Sequence, residues 1–74
     1  MSKLKSMVTS PPDRQGVVFE IWNENRQVAE ISKEPDRDYE IEIYPAANND
    51  AWCFNLHELK AMLEDGVRKL ACNP

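Results

Sequence analysis

Apolar and polar residues alternate strictly over residues 39–44, YEIEIY. Tyr39, Ile41 and Ile43 share one face, and Glu40, Glu42 and Tyr44 share the other, which is the period of a half-buried strand. Residues 17–22, VVFEIW, are rich in β-branched and aromatic side chains and predict another strand. Val17, Phe19 and Ile21 take one face; Val18, Glu20 and Trp22 take the other. Residues 26–32, RQVAEIS, predict its hairpin partner, with Ala29 and Ile31 on one face and Val28 and Glu30 on the other. The turn has to satisfy parity. A two-residue loop at Glu24-Asn25 sets Phe19 opposite Glu30 and mixes the faces, because a one-residue slip inverts every side chain. A three-residue loop, Asn23-Glu24-Asn25, pairs Phe19 with Ala29, Val17 with Ile31 and Trp22 with Arg26. It keeps the inner face largely apolar, with Asn25 as its left-handed residue.

The period changes after residue 55. Leu56, Leu59, Leu63, Val67 and Leu70, with Met62 beside them, make one apolar helical stripe. Asn55 is the expected N-cap, with Glu58 placed for a capping box and Phe54 and Leu59 placed for a hydrophobic staple. Arg68 and Lys69 in the last turn suit the negative end of the helix dipole. Gly66 costs a helix interior about 1 kcal/mol against alanine, so close approach to a sheet is its expected use. Between strand and helix, SKEPDRD and PAANND are loops, and AWCF is a short strand with Trp52 and Phe54 inward.

Residues 1–15 show neither period and close on SPPDRQG, so a flexible N-terminal arm is expected there, followed by a single domain over residues 16–74. The fold class is α+β: a three- to four-stranded antiparallel meander with one C-terminal helix packed on one face, β-β-β-(β)-α. The core then comprises Val17, Phe19, Ile21, Ala29, Ile31, Ile41, Ile43, Trp52, Phe54, Leu56, Leu59, Leu63, Val67 and Leu70. The opposite face displays Val18, Glu20, Trp22, Val28, Glu30, Glu40, Glu42 and Tyr44.

At 74 residues, a chain of this kind buries a modest core and holds at most one domain. Its formal net charge is −4. Lys3, Lys5 and Arg14 against Asp13 make residues 1–15 basic, so the body carries the whole acidic excess. An acidic body repels phosphate and attracts basic partners. Cys53 and Cys72 are a weak disulfide framework, and no apolar segment reaches the roughly 20 residues of a membrane span. A cytoplasmic protein with reduced thiols is the expectation.

Several chemistries are argued against. Cys53-x3-His57 supplies too few ligands for zinc, and Cys72 lies about 22 Å beyond His57 along a continuous helix. Cys53 is expected as a small buried hydrophobe and His57 as an exposed first-turn residue. No serine or aspartate stands at a triad spacing from His57, and Glu40 and Glu42 on an open sheet have nothing to raise a carboxyl pKa. The glycines, Gly16 and Gly66, form no phosphate-cradling loop. The expectation is no catalysis, no metal and no cofactor. Nucleic-acid binding is disfavoured because glutamates surround the aromatics.

Trp22 and Tyr44 remain to be explained on the polar face. One reading is local: Trp22 stacks under Arg26 across the hairpin. The other is a partner-binding face of Glu20, Trp22, Arg26, Glu30, Glu40, Glu42 and Tyr44, with aromatic anchors in an acidic field. The Ile-Trp hairpin, the Tyr-ending strand, W-x-F and the leucine-rich terminal helix resemble small bacterial accessory proteins. Immunity proteins that neutralise toxins include acidic domains of this kind, and this analogy carries no site residue by residue. The expected function is a small acidic non-catalytic protein-binding module, of inhibitor or immunity type, that neutralises a basic partner protein. The alternative is a structural subunit that self-associates through its exposed sheet face. Two-fold symmetry would bring like charges together there, which argues for a monomer.

Overall fold

The computed structural model describes residues 4–71. Among the described residues four strands, β1 Leu4–Thr9, β2 Val18–Asn23, β3 Arg26–Ser32 and β4 Glu40–Ile43, precede one α-helix, α1 Leu56–Ala71, with a short 3-10 turn, Ala47–Asn49, after β4. The strands form one antiparallel sheet in the order β1-β2-β3-β4, and the helix packs on it. The α+β meander with a C-terminal helix is therefore the architecture. Its fourth strand is a different one from that expected. AWCF is irregular, and the additional strand comes from residues 4–9.

Over those residues the expected arm is replaced by an edge strand. Leu4, Ser6 and Val8 pair with Asn23, Ile21 and Phe19, while Lys5, Met7 and Thr9 pair with Trp22, Glu20 and Val18. Leu4 packs against the hydrophobic core. Pairing is what stabilises β1: its own alternation is blurred by Ser6 on the inner side and Met7 on the outer.

The hairpin solves the parity problem by another route. Asn23 pairs with Arg26 across a two-residue loop, and Glu24, not Asn25, takes the left-handed conformation at φ 56°. Trp22 faces Gln27 and Ile21 faces Ala29, which leaves Val28 as the extra residue of a β-bulge. Beyond the bulge Glu20 faces Glu30 and Phe19 faces Ile31. The bulge restores the register that an even loop alone would spoil. It also carries Val28 off the outer face into the core cluster with Phe19, Ile21, Ala29, Ile31 and Leu70. Val18, likewise expected outside, is 1% exposed.

The helix begins as its sequence demands. The Glu58 N–H donates to Asn55 Oδ1 at 3.0 Å and the Leu59 N–H to Asn55 O at 3.0 Å. In its last turns Asp65 accepts from Arg68 at 3.0 Å and pairs with Lys69 at 3.3 Å. Desolvation works against the Asp65 carboxylate, but these two cations hold its pKa below the ordinary value. The residues that α1 buries deepest are Gly66 and Leu70. A Cβ at Gly66 would lie 2.7 Å from the Phe19 ring and 2.9 Å from Ile31 Cδ1, so the helix backbone rests directly on the sheet. Seating the helix on Gly66 rotates the expected stripe. Val67 and Leu56, assigned to the core from periodicity, are exposed.

The helix covers β1, β2 and β3, and among the described residues none of its Cα atoms comes within 8 Å of one in β4. Ile41 and Ile43 on the inner face of β4 are consequently 44% and 69% exposed, against the expectation that both are core.

Candidate functional site

On the outer face three of the predicted carboxylates lie together. Glu20, Glu30 and Glu42 stand side by side across β2, β3 and β4. Like charges at that spacing repel, and the fold offsets part of that repulsion from within. Arg14, from the β1–β2 connection, reaches Glu30 at 2.8 Å and Glu42 at 2.9 Å. Burial would lower the Arg14 pKa, but Glu30 and Glu42 raise it further. Glu20 accepts from the Thr9 hydroxyl at 3.1 Å and from the Trp22 indole N–H at 3.0 Å. Trp22 is half-buried, lies opposite Gln27 and takes Glu20 as its polar partner. Arg26 pairs with Asn23, the next position towards the turn, and lines the same depression as Trp22, while the cation–π contact found among the described residues is Lys69 over Phe19.

Tyr44 and Trp22 line a shallow depression with Asn25, Arg26, Gln27 and Pro45. Burial, then the Glu30 and Glu42 charges, push the Tyr44 phenol above its usual pKa. Glu40 lies apart from this row, 3.6 Å from the exposed Arg37. Thr9 and Arg14 escaped the sequence reading because both fall in the stretch read as a loose arm.

The inner face holds the feature that sequence reasoning did not find. Where the helix stops short of β4, an apolar groove of about 270 Å³ opens. Ile41, Ile43 and Val28 form its sheet side, and Leu56, Leu59 and Leu63 its helix side. Trp52 and Phe54 line it from the connecting segment, stacked with ring centroids 5.3 Å apart. The Trp52 indole N–H donates to Tyr44 O at 2.7 Å, which ties this segment to the end of β4. Ile43 and Leu56 are 69% and 72% exposed at the groove. These apolar residues are exposed together along one groove, not scattered singly over the surface.

Cys53 is an exposed free thiol, not a buried hydrophobe, and His57 is exposed in the first helical turn. Cys72 lies outside the described residues. Among the described residues no group of three or more His, Cys, Asp or Glu side chains is placed to hold a metal ion. None of the described helices is long and apolar enough to cross a membrane.

The architecture and its surfaces define a small α+β protein with an acidic sheet face and an apolar groove under one sheet edge. No family model, curated protein or solved structure matches the chain.

Proposed function

We propose that this protein is a non-catalytic protein-binding module for a basic partner, and that the partner docks at the groove between β4 and the first half of α1. The observation that carries the reading is the exposure of Ile43 and Leu56 on that groove while Glu40 and Glu42 occupy the other face of the same strand. Covering a side chain of this size contributes roughly 1.5–3 kcal/mol, so these two residues are natural anchors. Arg14 supplies one positive charge to both Glu30 and Glu42, which leaves the strand acidic and suited to cations at its rim. An inhibitor or immunity-type role, in which a small acidic protein neutralises a basic one, falls within this reading. Relative to the acidic aromatic face expected from sequence, the weight moves from Glu20, Trp22 and Arg26 to Glu40, Glu42 and the groove. Glu20 is bonded inside the fold, and the positive charge of Arg26 does not suit a basic partner.

The test uses the parent, Ile43→Glu and Leu56→Glu as parallel baits in the same lysate, with retained proteins quantified by mass spectrometry. A basic protein held by the parent and lost from both variants is the expected result. Both variants should melt like the parent, since neither side chain is buried in the free protein. Retention of the same proteins by all three baits would overturn the groove as the docking site.

A further inference from the structure

We infer that the partner adds to the open edge of β4 as an extended strand in which Lys or Arg alternates with apolar residues; this rests on the docking site proposed above. β4 ends the sheet order, so among the described residues one of its sides has no neighbouring strand. The Tyr44 N–H donates to Val28 O at 2.9 Å, in register with the pairs Glu42–Glu30 and Glu40–Ser32. In an antiparallel ladder the two backbone groups of a residue point the same way, and successive residues alternate. Tyr44, Glu42 and Glu40 therefore turn their backbone groups towards β3. Ile41 and Ile43 turn theirs to the open edge, and their side chains line the groove. Backbone capture and side-chain capture thus fall on the same two residues, which is the arrangement strand addition requires.

The free backbone groups favour a strand over a helix: a helix bonds its own backbone internally and would leave those of Ile41 and Ile43 unused. A strand lying about 4.8 Å from β4 would stand alternate side chains beside Ile41 and Ile43 at the groove mouth. Its remaining side chains would stand beside Glu40 and Glu42, where cations are favoured. The other sheet edge is a poorer receptor: β1 carries Lys5, a residue type that blunts edges, and the helix packs on it.

Charge also argues against a second copy as the occupant. A two-fold pair centred on Glu42 sets that residue against itself. Centred on Ile41, it sets each Glu40 against the other copy's Glu42. Centred on Ile43, it sets Ile41 against Pro45, which has no N–H to give. Each register therefore meets a repulsion or a missing donor, and a basic partner strand meets neither.

The probe is the acetylated, amidated peptide Lys-Val-Lys-Ile-Lys-Val-Lys, titrated into the ¹⁵N-labelled protein and followed by NMR and amide exchange. The amides of Ile41 and Ile43 should shift, and their exchange should slow by about tenfold or more at saturation. Replacing the lysines by glutamates should weaken binding by about tenfold or more, as should grouping the same lysines at one end. N-methylation of the alternate residues that face β4 should abolish binding, while methylation of the others should leave it intact. Equal binding by all the methylated peptides would overturn strand addition, and so would shifts confined to α1. No binding up to about 1 mM, alongside a partner still lost from the Ile43→Glu bait, would overturn strand addition and leave the groove reading standing. A dimer in sedimentation that Ile43→Glu dissolves would assign the edge to a second copy and overturn the inference.

Discussion

Trp22 acquires its place through Glu20, two residues back on the same strand. The indole N–H needs a partner when half-buried, and the carboxylate 3.0 Å away provides one while also holding the Thr9 hydroxyl. Neither bond can be read from sequence, because one depends on a rotamer and the other on β1. Gly66 is the opposite case, since its use was legible: a glycine in an otherwise strong helix implies close approach. Its consequence can be measured. Gly66→Ala gains up to about 1 kcal/mol of helix propensity. It also drives a methyl against the fully buried Phe19 ring, where overpacking typically costs about 1–3 kcal/mol. Phe19 is rigid and enclosed, so the clash should win and the melting temperature should fall by several degrees in a thermal scan. A melt equal to or above the parent's would mean that the helix can lift off the sheet at little cost.

Elements were legible where one periodicity dominates. β4 and α1 were read from alternation and from the leucine stripe, and the Asn55 cap is observed. β1 was not legible, because Ser6 and Met7 occupy the faces opposite to those their polarity suggests. The bulge gave no signal either: parity demanded some correction in the hairpin, and lengthening the loop or adding a residue to β3 satisfies it equally well. β1 makes an element-scale prediction. If residues 1–15 were a loose arm, deleting residues 1–9 would leave the fold of the rest intact. Here it removes the strand that pairs with Phe19 and Ile21 and that the helix leans on. The truncated protein should lose its cooperative unfolding transition by circular dichroism. An unchanged transition would show that β1 contributes nothing to the stability of the rest.

At the scale of the molecule, the radius of gyration is 12.5 Å, against about 11 Å expected for a chain of this length. The excess fits a flat slab of 34 × 24 × 19 Å in which one helix covers a sheet wider than itself. The sequence could assign an inner face but not say how far across it one helix reaches, so Ile31 and Ile43 looked equivalent. They are not. Ile31→Ala empties a buried position and should cost about 2–5 kcal/mol. Ile43→Ala should lie within about 0.5 kcal/mol of the parent in urea unfolding, as the Ile43→Glu bait should too. Equal losses at both positions would mean that β4 is covered in solution, and the groove would then be closed.

The bulge at Val28 also gives β3 one residue of slack. Delete Val28, and Asn23, Trp22 and Ile21 still face Arg26, Gln27 and Ala29, now in an unbroken ladder. Delete Glu30 instead, and the bulge can straighten so that Phe19 again meets Ile31, with Val28 moving into the place of Ala29. An inserted residue between Ala29 and Ile31 finds no such reserve and sends the side chains beyond it to the wrong face. Loss of a residue from this strand should therefore be survived more often than gain of one. The Val28 deletion should keep a Phe19–Ile31 nuclear Overhauser contact, and an alanine inserted after Ala29 should abolish it. The reverse outcome would show that the bulge is a fixed joint with no slack in it. If the slack is real, β3 is the strand in which the chain can change length without changing its fold.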